Sequence, residues 1–326
     1  MPPLLTLLTA ISRNGTRIIA ASVLIGLAFP AAAAAVRPWL PQLVVLLLVA
    51  ALLRVDFGLF VQRLRRPGTA VAASLWLMLG TPVVFFTAAR LIGLDEIDPA
   101  ILTIVFLFSA TPPIVSAPTF AGMMGLDVAL SLAVLLFGLI AMPVLAPAMA
   151  DVFVEPDLPI TVLDLARRLA ILAGAGFAIT FALRWALGRE RIARAAPLVD
   201  VCAITLVTLF AIASMDGIRA ALLADPLQIG VITLACYAVA FLNMALAYAV
   251  FRPFVGRDAV AIAYSAGNRN MGVMVSALGV YAIPELVWFF FALSQLPIFT
   301  FPFLLKGLGQ RLAAPAPSQP VRGRRE

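Results

Sequence analysis

Histidine is absent from this chain of 326 residues, and only 12% of its residues are charged. The lack of imidazole excludes histidine-based acid–base catalysis and histidine-ligated metal sites. The two cysteines, Cys202 and Cys236, lie singly within apolar runs, so their spacing favours buried thiols over a disulfide. No pair of acidic residues lies in the middle of an apolar run. We therefore predict neither enzymatic activity nor a resident metal or cofactor.

Hydrophobic residues, by contrast, make up 63% of the chain, with a mean hydropathy of +1.08. This composition is typical of an integral membrane protein, and the apolar runs of roughly 17 to 25 residues suit transmembrane helices. We predict an all-α polytopic protein whose single membrane domain covers residues 1–326, with ten spans and a disordered Pro- and Arg-rich tail at 313–326. The predicted spans are roughly 17–36, 39–54, 68–90, 99–124, 127–150, 165–187, 196–215, 227–251, 258–281 and 284–308.

The arginine distribution predicts how these spans are oriented, because basic loops favour the cytoplasmic side. With both termini in the cytoplasm, that side contains Arg13, Arg17, Arg54, Arg63, Arg65, Arg66, Arg189, Arg191, Arg194, Arg252, Arg257, Lys306, Arg311, Arg322, Arg324 and Arg325. The opposite side contains Arg37, Arg90, Arg167, Arg168 and Arg219. The net charge of +7 is thereby explained by membrane orientation, without a nucleic-acid partner. We expect the protein in a bacterial inner membrane.

The ten predicted spans divide into two sets of five, at about 17–150 and 165–308, separated by a polar connection. If both sets share one fold, the odd number of helices in each inverts the second relative to the first. Inverted repeats of this kind are common among secondary transporters. The sequence therefore predicts two inverted five-helix repeats.

Interruptions fall in the fourth span of each set. The first contains Pro112, Pro113 and Pro118, which remove backbone donors from a helix. The second contains Gly267 and Gly272 on either side of Arg269, a permanent charge near the middle of an apolar segment. Matched interruptions predict broken, crossing helices 4 and 9 with a binding site between them. Two other interpretations stay open: the prolines only kink a helix, or the arginine only ties helices together by bonding to carbonyls.

The polar side chains near the two interruptions are the candidate substrate-binding residues. An arginine suits an anion, because its planar guanidinium matches a carboxylate, and half-helix N-termini add favourable dipoles. The candidates are Arg269, Asn268, Asn270, Ser265, Thr111, Ser116 and Thr119. Asp127, at the start of the fifth span, has the position of a helix N-cap.

Two short stretches carry a resemblance to a known family. The stretch Gly125-Leu126-Asp127-Val128-Ala129-Leu130-Ser131 resembles the Gly-Asp-Val-Ala-Leu-Ser that follows the first crossing helix in the bile acid:sodium symporter family. Residues 265–272, Ser-Ala-Gly-Asn-Arg-Asn-Met-Gly, resemble the Glu-x-Gly-x-Gln-Asn-x-Gly of its second crossing helix. The resemblance implies ten helices in two inverted repeats, with alternating-access transport of an organic anion.

The departures from the family's motif concern sodium. Ser265 and Arg269 stand where the resemblance places a sodium-binding glutamate and glutamine, and only Ser131 and Asn270 keep the types of a residual sodium site. A sodium ion beside an arginine, without the carboxylate, is disfavoured by like-charge repulsion. We therefore predict a carrier of a small or amphipathic organic anion, coupled to sodium weakly or not at all. The alternatives are a non-transporting anion sensor and an intramembrane enzyme on the same fold.

Overall fold

The computed structural model describes residues 15–55, 57–65, 67–154 and 158–313. Within these ranges the regular secondary structure is helical, apart from an isolated antiparallel bridge between Pro113 and Arg269. The predicted tail lies outside the described residues from 314 onward, as do the basic residues Arg13, Arg66, Arg322, Arg324 and Arg325.

The described part of the first half of the chain forms ten α-helical segments. They are α1 (Gly15–Ala28), α2 (Pro30–Val36), α3 (Leu40–Arg54), α4 (Phe57–Leu64), α5 (Gly68–Leu75), α6 (Thr81–Leu91), α7 (Leu94–Ile97), α8 (Ala100–Ser109), α9 (Ala117–Met123) and α10 (Val128–Phe153). A 3-10 turn at Arg37–Trp39 joins α2 to α3, and a π-helical turn at Trp76–Gly80 joins α5 to α6.

The second half contains the longest helices. They are α11 (Val162–Arg194), α12 (Ala196–Ser214), α13 (Ile218–Ala224), α14 (Pro226–Val255), α15 (Ala259–Gly267), α16 (Met271–Leu278), α17 (Glu285–Leu293), α18 (Gln295–Leu304) and α19 (Lys306–Ala313). A 3-10 turn at Gly256–Asp258 joins α14 to α15, and α11 is kinked at Gly188, where φ is 72°.

Seven stretches of the described residues are long and apolar enough to cross a bilayer. They are Pro30–Arg54, Gly68–Leu91, Val128–Phe153, Val162–Arg194, Ala196–Ala224, Pro226–Gly267 and Glu285–Leu304. The chain is therefore an all-α protein with several membrane-spanning helices. Ten spans are expected from the sequence, with the fourth and the ninth broken. The count of seven differs because α2 runs on into α3, α14 runs on into α15, and breaks separate α8 from α9 and α15 from α16.

Three long helices begin at side-chain caps, which satisfy backbone N–H groups that have no intrahelical partner. Asp127 accepts from the Leu130 N–H of α10 at 2.8 Å, which confirms its predicted N-cap position. At the starts of α11 and α14, Thr161 accepts from Asp164 at 3.1 Å and Asp225 accepts from Gln228 at 2.9 Å. The starts of these three helices are therefore determined by residues that directly precede them in the sequence.

Helix α10 lies at the centre of the fold, against α5, α9, α11 and α15, while α14 packs along α15. Close approach at two places depends on glycine. A Cβ on Gly138 would lie 2.9 Å from Pro112 Cβ, so α10 leaves room for the first interruption. A Cβ on Gly267 would lie 2.3 Å from Met244 Cγ and 2.7 Å from the Ala240 carbonyl oxygen. The end of α15 therefore presses directly on α14.

Gly267→Ala is expected to lower the apparent melting temperature, because the new methyl meets backbone that cannot move aside. Overpacking of this kind costs about 1–3 kcal/mol. Thermal unfolding in detergent, followed by tryptophan fluorescence, measures the effect. The matched control is Gly230→Ala in α14, where nothing lies within 4 Å of the added Cβ. Equal melting temperatures for the two variants would contradict the close packing.

Candidate functional site

The two interruptions are hydrogen-bonded to each other. Residues 110–116 separate α8 from α9, and residues 268–270 separate α15 from α16. The Ile114 N–H donates to the Asn268 carbonyl at 2.8 Å, and the Asn270 N–H donates to the Pro112 carbonyl at 2.9 Å. This antiparallel pair satisfies unwound backbone in a region where lipid offers no partner. The two breaks thus stabilise each other.

Prolines determine which carbonyls of α8 are left over. In an α-helix the Phe108 carbonyl would accept from residue 112 and the Ser109 carbonyl from residue 113, but both of those residues are prolines without an N–H. The Leu107 carbonyl, by contrast, has a donor, because the Thr111 hydroxyl donates to it at 3.1 Å. Two consecutive buried carbonyls at the end of α8 therefore need donors from elsewhere.

Arg269 supplies those donors from the second break. Its side chain is 2% exposed, and its Nε donates to the Phe108 carbonyl at 3.1 Å. Its Nη2 donates to the Ser109 carbonyl. The guanidinium therefore caps the C-terminus of α8, where the helix dipole also favours a positive charge.

The same Nη2 reaches a third orphaned carbonyl, that of Leu77. In the π-turn the Thr81 N–H donates to Trp76 instead of Leu77. One residue further along, Pro82 has no N–H to offer to Leu77. Thr81 completes this corner: its hydroxyl donates to the Leu77 carbonyl at 2.7 Å and accepts from Arg269 Nη2 at 2.9 Å.

The charge of Arg269 is stabilised by peptide dipoles. Among the described residues no carboxylate forms an ion pair with it, and its acceptors are three carbonyls and one hydroxyl. Hydrogen bonds from a charged donor contribute about 1.5–3 kcal/mol each to stability. A set of several is needed to offset the several kcal/mol that burial of a guanidinium costs.

One nitrogen of the guanidinium, Nη1, has no hydrogen-bond partner among the described residues. Arg269 borders a cavity of about 10 Å³ that is also lined by Phe108, Cys236, Gly267 and Ser294. That volume is of the order of one water molecule. In this conformation the cavity is too small for an organic anion to reach the charge.

The asparagine before Arg269 is fully buried and acts on its own helix end. Asn268 Nδ2 donates to the Tyr264 carbonyl at 2.8 Å. Asn243 on α14 donates to the Ala266 carbonyl at 2.8 Å, so both amides cap the C-terminus of α15. The Oδ1 atoms of both asparagines and the Tyr264 hydroxyl are buried without partners among the described residues. The junction of α14 and α15 therefore contains three buried polar atoms whose hydrogen-bonding capacity is not satisfied within the described residues.

The candidates closest to an accessible surface lie at the starts of α9 and α16. Asn270 is 9% exposed and begins α16 without a side-chain cap bond. Ser116 begins α9 in the same way and is half-buried, while Thr119 is exposed in its first turn. Thr111, by contrast, is fully buried and used by its own helix end. Ser116 and Thr119 are therefore the candidates that reach the surface, whereas Asn270 and Thr111 are buried.

The two serines of the implied sodium site contact each other. Ser131 Oγ lies 3.3 Å from Ser265 Oγ, and Ser265 also donates to the Ala261 carbonyl at 2.9 Å. Both serines are fully buried. Among the described residues no carboxylate contacts this hydroxyl pair, and a guanidinium occupies the neighbouring break. Such a site does not suit Na⁺, which as a hard cation needs several oxygen ligands around it. The residues present do not fit a sodium site.

Two residues predicted to break helices lie inside helices instead. Gly272 is the second residue of α16, where a Cβ would lie 2.9 Å from Phe210 Cζ, so the glycine serves close packing on α12. Pro118 lies in the first turn of α9, where the missing N–H is tolerated. Pro112 and Pro113 are in the first break, and Gly267 is the last residue before the second.

Leu77 and Thr81 belong to the site but were not among the sequence candidates. The signal that could have found them is Pro82, which leaves a carbonyl of the preceding turn without a donor. Which carbonyl is freed depends on the π-turn, and a sequence pattern does not reveal that register. The junction of α5 and α6 therefore contributes the Leu77 carbonyl and the Thr81 hydroxyl to the site.

No protein-family model matches this chain, and its sequence matches no curated protein. Any statement of function therefore depends on the site itself.

The Thr81→Val variant is expected to be destabilised by about 1–2 kcal/mol, because it removes a hydroxyl that holds Arg269 and Leu77 together. Thr180→Val is the matched control: Thr180 is also fully buried and donates to the carbonyl four residues earlier, but only within α11. In thermal-unfolding cycles with Arg269→Met, we expect coupling for Thr81 and none for Thr180. Additive effects at Thr81 would contradict the network.

Proposed function

We propose that the protein is a secondary-transporter-type carrier that moves a small or amphipathic organic anion across the membrane by alternating access. The observation that carries the proposal is the hydrogen-bonded pair of broken helices around a buried cation. Interrupted helices that meet inside a membrane domain are a typical framework for transporter binding sites. A protein that only needed to span the bilayer would gain nothing from two matched breaks, since each exposes backbone that must be compensated.

The helix order supports a ten-crossing arrangement related to the bile acid:sodium symporter family. Ten crossings result if the interrupted pairs each count once. The crossings would be α1, α2–α3, α5–α6, α8–α9, α10, α11, α12, α14, α15–α16 and α17–α18. The two broken pairs are then the fourth and the ninth, as inverted five-helix repeats require.

Contacts of the arginines support the proposed orientation. On the proposed cytoplasmic side, Arg54 lies 2.9 Å from Asp200, and Arg63 lies 3.8 Å from both Asp127 and Asp258. These contacts join residues that the ten-crossing arrangement places together.

The opposite side is held together in the same way. Arg37 lies 3.0 Å from Asp216, Arg168 donates to the Ala277 carbonyl at 3.1 Å, and Arg90 donates to the Phe153 carbonyl at 3.2 Å. The ten-crossing arrangement places both members of each pair at the same membrane face. In this arrangement each arginine connects two helix ends that lie at the same membrane face.

Arg269 acts in this proposal as a tethered cation that takes the place of a bound ion. From its place in the second half it donates to three carbonyls of the first half, so it joins the two halves as an ion bound between the breaks would. Because the charge is covalently attached and a guanidinium does not lose its proton at accessible pH, it cannot be exchanged during a transport cycle. The carrier is therefore not driven by sodium, and flux follows the gradient of the anion.

The substrate is proposed to bind near Ser116 and Thr119, which reach the surface, and near the start of α16 at Asn270. Helix α16 begins at Asn270 without a side-chain cap, and the backbone N–H groups and positive dipole end of its first turn favour a negatively charged group. Arg269 adds a long-range positive potential from within the protein, without touching the anion in this conformation. The anion is thus recognised by helix ends and an amide, with the buried charge behind them.

The ten-crossing arrangement predicts that Ala282 and Gln310 lie on opposite sides of the membrane. In a background with Cys202→Ser and Cys236→Ser, we expect an impermeant maleimide to label Ala282→Cys in intact cells. Gln310→Cys should be labelled only after permeabilisation. Both residues are exposed, so accessibility is matched. Labelling of both residues from the same side would show that α17 and α18 do not form a crossing, and the reverse pattern would contradict the proposed orientation.

In proteoliposomes we expect uptake of at least one carboxylate from a panel ranging from pyruvate to cholate, at the same rate in sodium and in potassium buffers. Asn270→Asp should lower that uptake by roughly tenfold or more, because a second negative charge repels the anion at the helix ends. Arg269→Gln combined with Ser265→Glu restores the side-chain types of the family's motif and should make uptake sodium-dependent.

Wild-type uptake that requires sodium would contradict the tethered-cation proposal. Carboxylates that raise the melting temperature of the protein without any flux would instead indicate an anion sensor on this fold. Protein reconstituted with Asn243→Ala is the control for general damage near the site, since Asn243 only caps α15. It should keep sodium independence even if its rate falls.

A further inference from the structure

A second cavity, larger than the one beside Arg269, opens at the surface along the second half of α14. It has a volume of about 220 Å³, and its walls come from α14, α15, α19 and the segment after α9. The lining is almost wholly apolar and includes Phe241, Met244, Tyr248, Val260, Leu308 and Leu312. Phe241 is 54% exposed and Leu308 49% exposed, so the cavity is an open groove.

The short helix α19 closes one side of this groove. Leu308 and Leu312, one turn apart, face into it, and Lys306 and Arg311 lie to either side of that face on the helix surface. Both cations are exposed. An amphipathic helix with an apolar face and flanking cations is typical of the membrane–water interface.

More positive charge gathers at the same end of the groove. Helix α19 packs against α15 and against the turn Gly256–Asp258. Arg257 lies in that turn and Arg252 in the last turn of α14, and both are exposed. The groove thus combines an apolar trough with a basic rim where the helices end.

The groove wall also contains a buried polar group. Tyr264 is 3% exposed, and its hydroxyl has no hydrogen-bond partner among the described residues. Its ring packs edge-on against Phe120, with ring centroids 6.5 Å apart. Because this hydroxyl is itself buried, the wall presents the Tyr264 ring to the groove and almost no polar surface.

We propose that this groove binds an anionic phospholipid, with an acyl chain in the trough and the phosphate among the cations of the rim. The apolar walls require an aliphatic chain, and the rim requires a negative headgroup. On the proposed cytoplasmic side, anionic lipids are the chemistry that a basic rim attracts. The site is distinct from the paired breaks and does not depend on whether the protein transports anything.

Charge argues against the other occupants. Residues 314–326 follow α19 directly and contain Arg322, Arg324 and Arg325 against the single acid Glu326, so a basic rim repels them. A second copy of the chain would bring the same basic rim and be repelled in the same way. The lipid is the occupant whose charge complements the site.

The test measures lipid binding to the purified full-length protein in detergent, by native mass spectrometry and by thermal unfolding. Palmitoyl-oleoyl phosphatidylglycerol should bind and raise the apparent melting temperature by roughly 5 °C, whereas the phosphatidylcholine of the same chains should do neither. Inorganic phosphate should also have no effect, because it lacks the chain that fills the groove.

Two variants separate the trough from the rim. Ala245 is exposed and lines the groove, so Ala245→Trp should fill it and abolish the bound phosphatidylglycerol. Lys306→Gln with Arg311→Gln should weaken binding roughly tenfold or more, since each cation near a lipid surface contributes about a fivefold factor. Ala238→Trp, at an exposed alanine of α14 outside the groove, is the matched control and should bind as the wild type does.

Three results would overturn the proposal. Equal binding of phosphatidylglycerol and phosphatidylcholine would show that the rim does not select charge. Unchanged binding in Ala245→Trp would place the lipid elsewhere. Binding that appears only after deletion of residues 314–326 would assign the groove to the tail. Wild-type binding that is lost in both variants and kept in Ala238→Trp would establish the site, whether or not any carboxylate is transported.

Discussion

The interaction on which the rest depends is the one between the Arg269 guanidinium and three carbonyls that prolines leave without donors. Pro112 and Pro113 free the carbonyls of Phe108 and Ser109, and Pro82 together with the π-turn frees that of Leu77. In a membrane these oxygens have no solvent to turn to. A single side chain with several donors in one plane satisfies all of them, which a lysine or a glutamine could not do.

This arrangement links the two candidate interpretations of the buried arginine. Arg269 does tie helices together through carbonyls, but what it ties is the two broken helices to each other and to the π-turn between α5 and α6. Their backbones are already paired at Ile114–Asn268 and Asn270–Pro112. A cation that is part of the chain fixes this crossing permanently. In our proposal the protein therefore has no coupling ion to release, and the conformational change must move the crossing as one unit against the helices around it.

The positions of the helices were largely predictable from the sequence, and the contacts of the site were not. Long apolar runs and cap residues such as Asp127 indicate where helices begin because both signals are local. The prediction that Gly272 breaks a helix was wrong, because a glycine needed for close packing on Phe210 looks the same in sequence as one needed for a turn. Leu77 was missed because its contact is made by a backbone oxygen, which any residue type could supply. Thr81 was missed because its role depends on the position of that oxygen.

The sequence by itself determined that the chain is helical and membrane-spanning, that two of its segments are interrupted, and that a charge is buried in one of them. Each of these follows from composition or from the chemistry of proline, glycine and arginine along a short stretch. Only the tertiary structure decided that the interruptions pair with each other, that Arg269 is occupied by carbonyls, and that the two serines face one another. Those outcomes depend on distances between residues separated by more than 130 positions, and no local pattern encodes such distances.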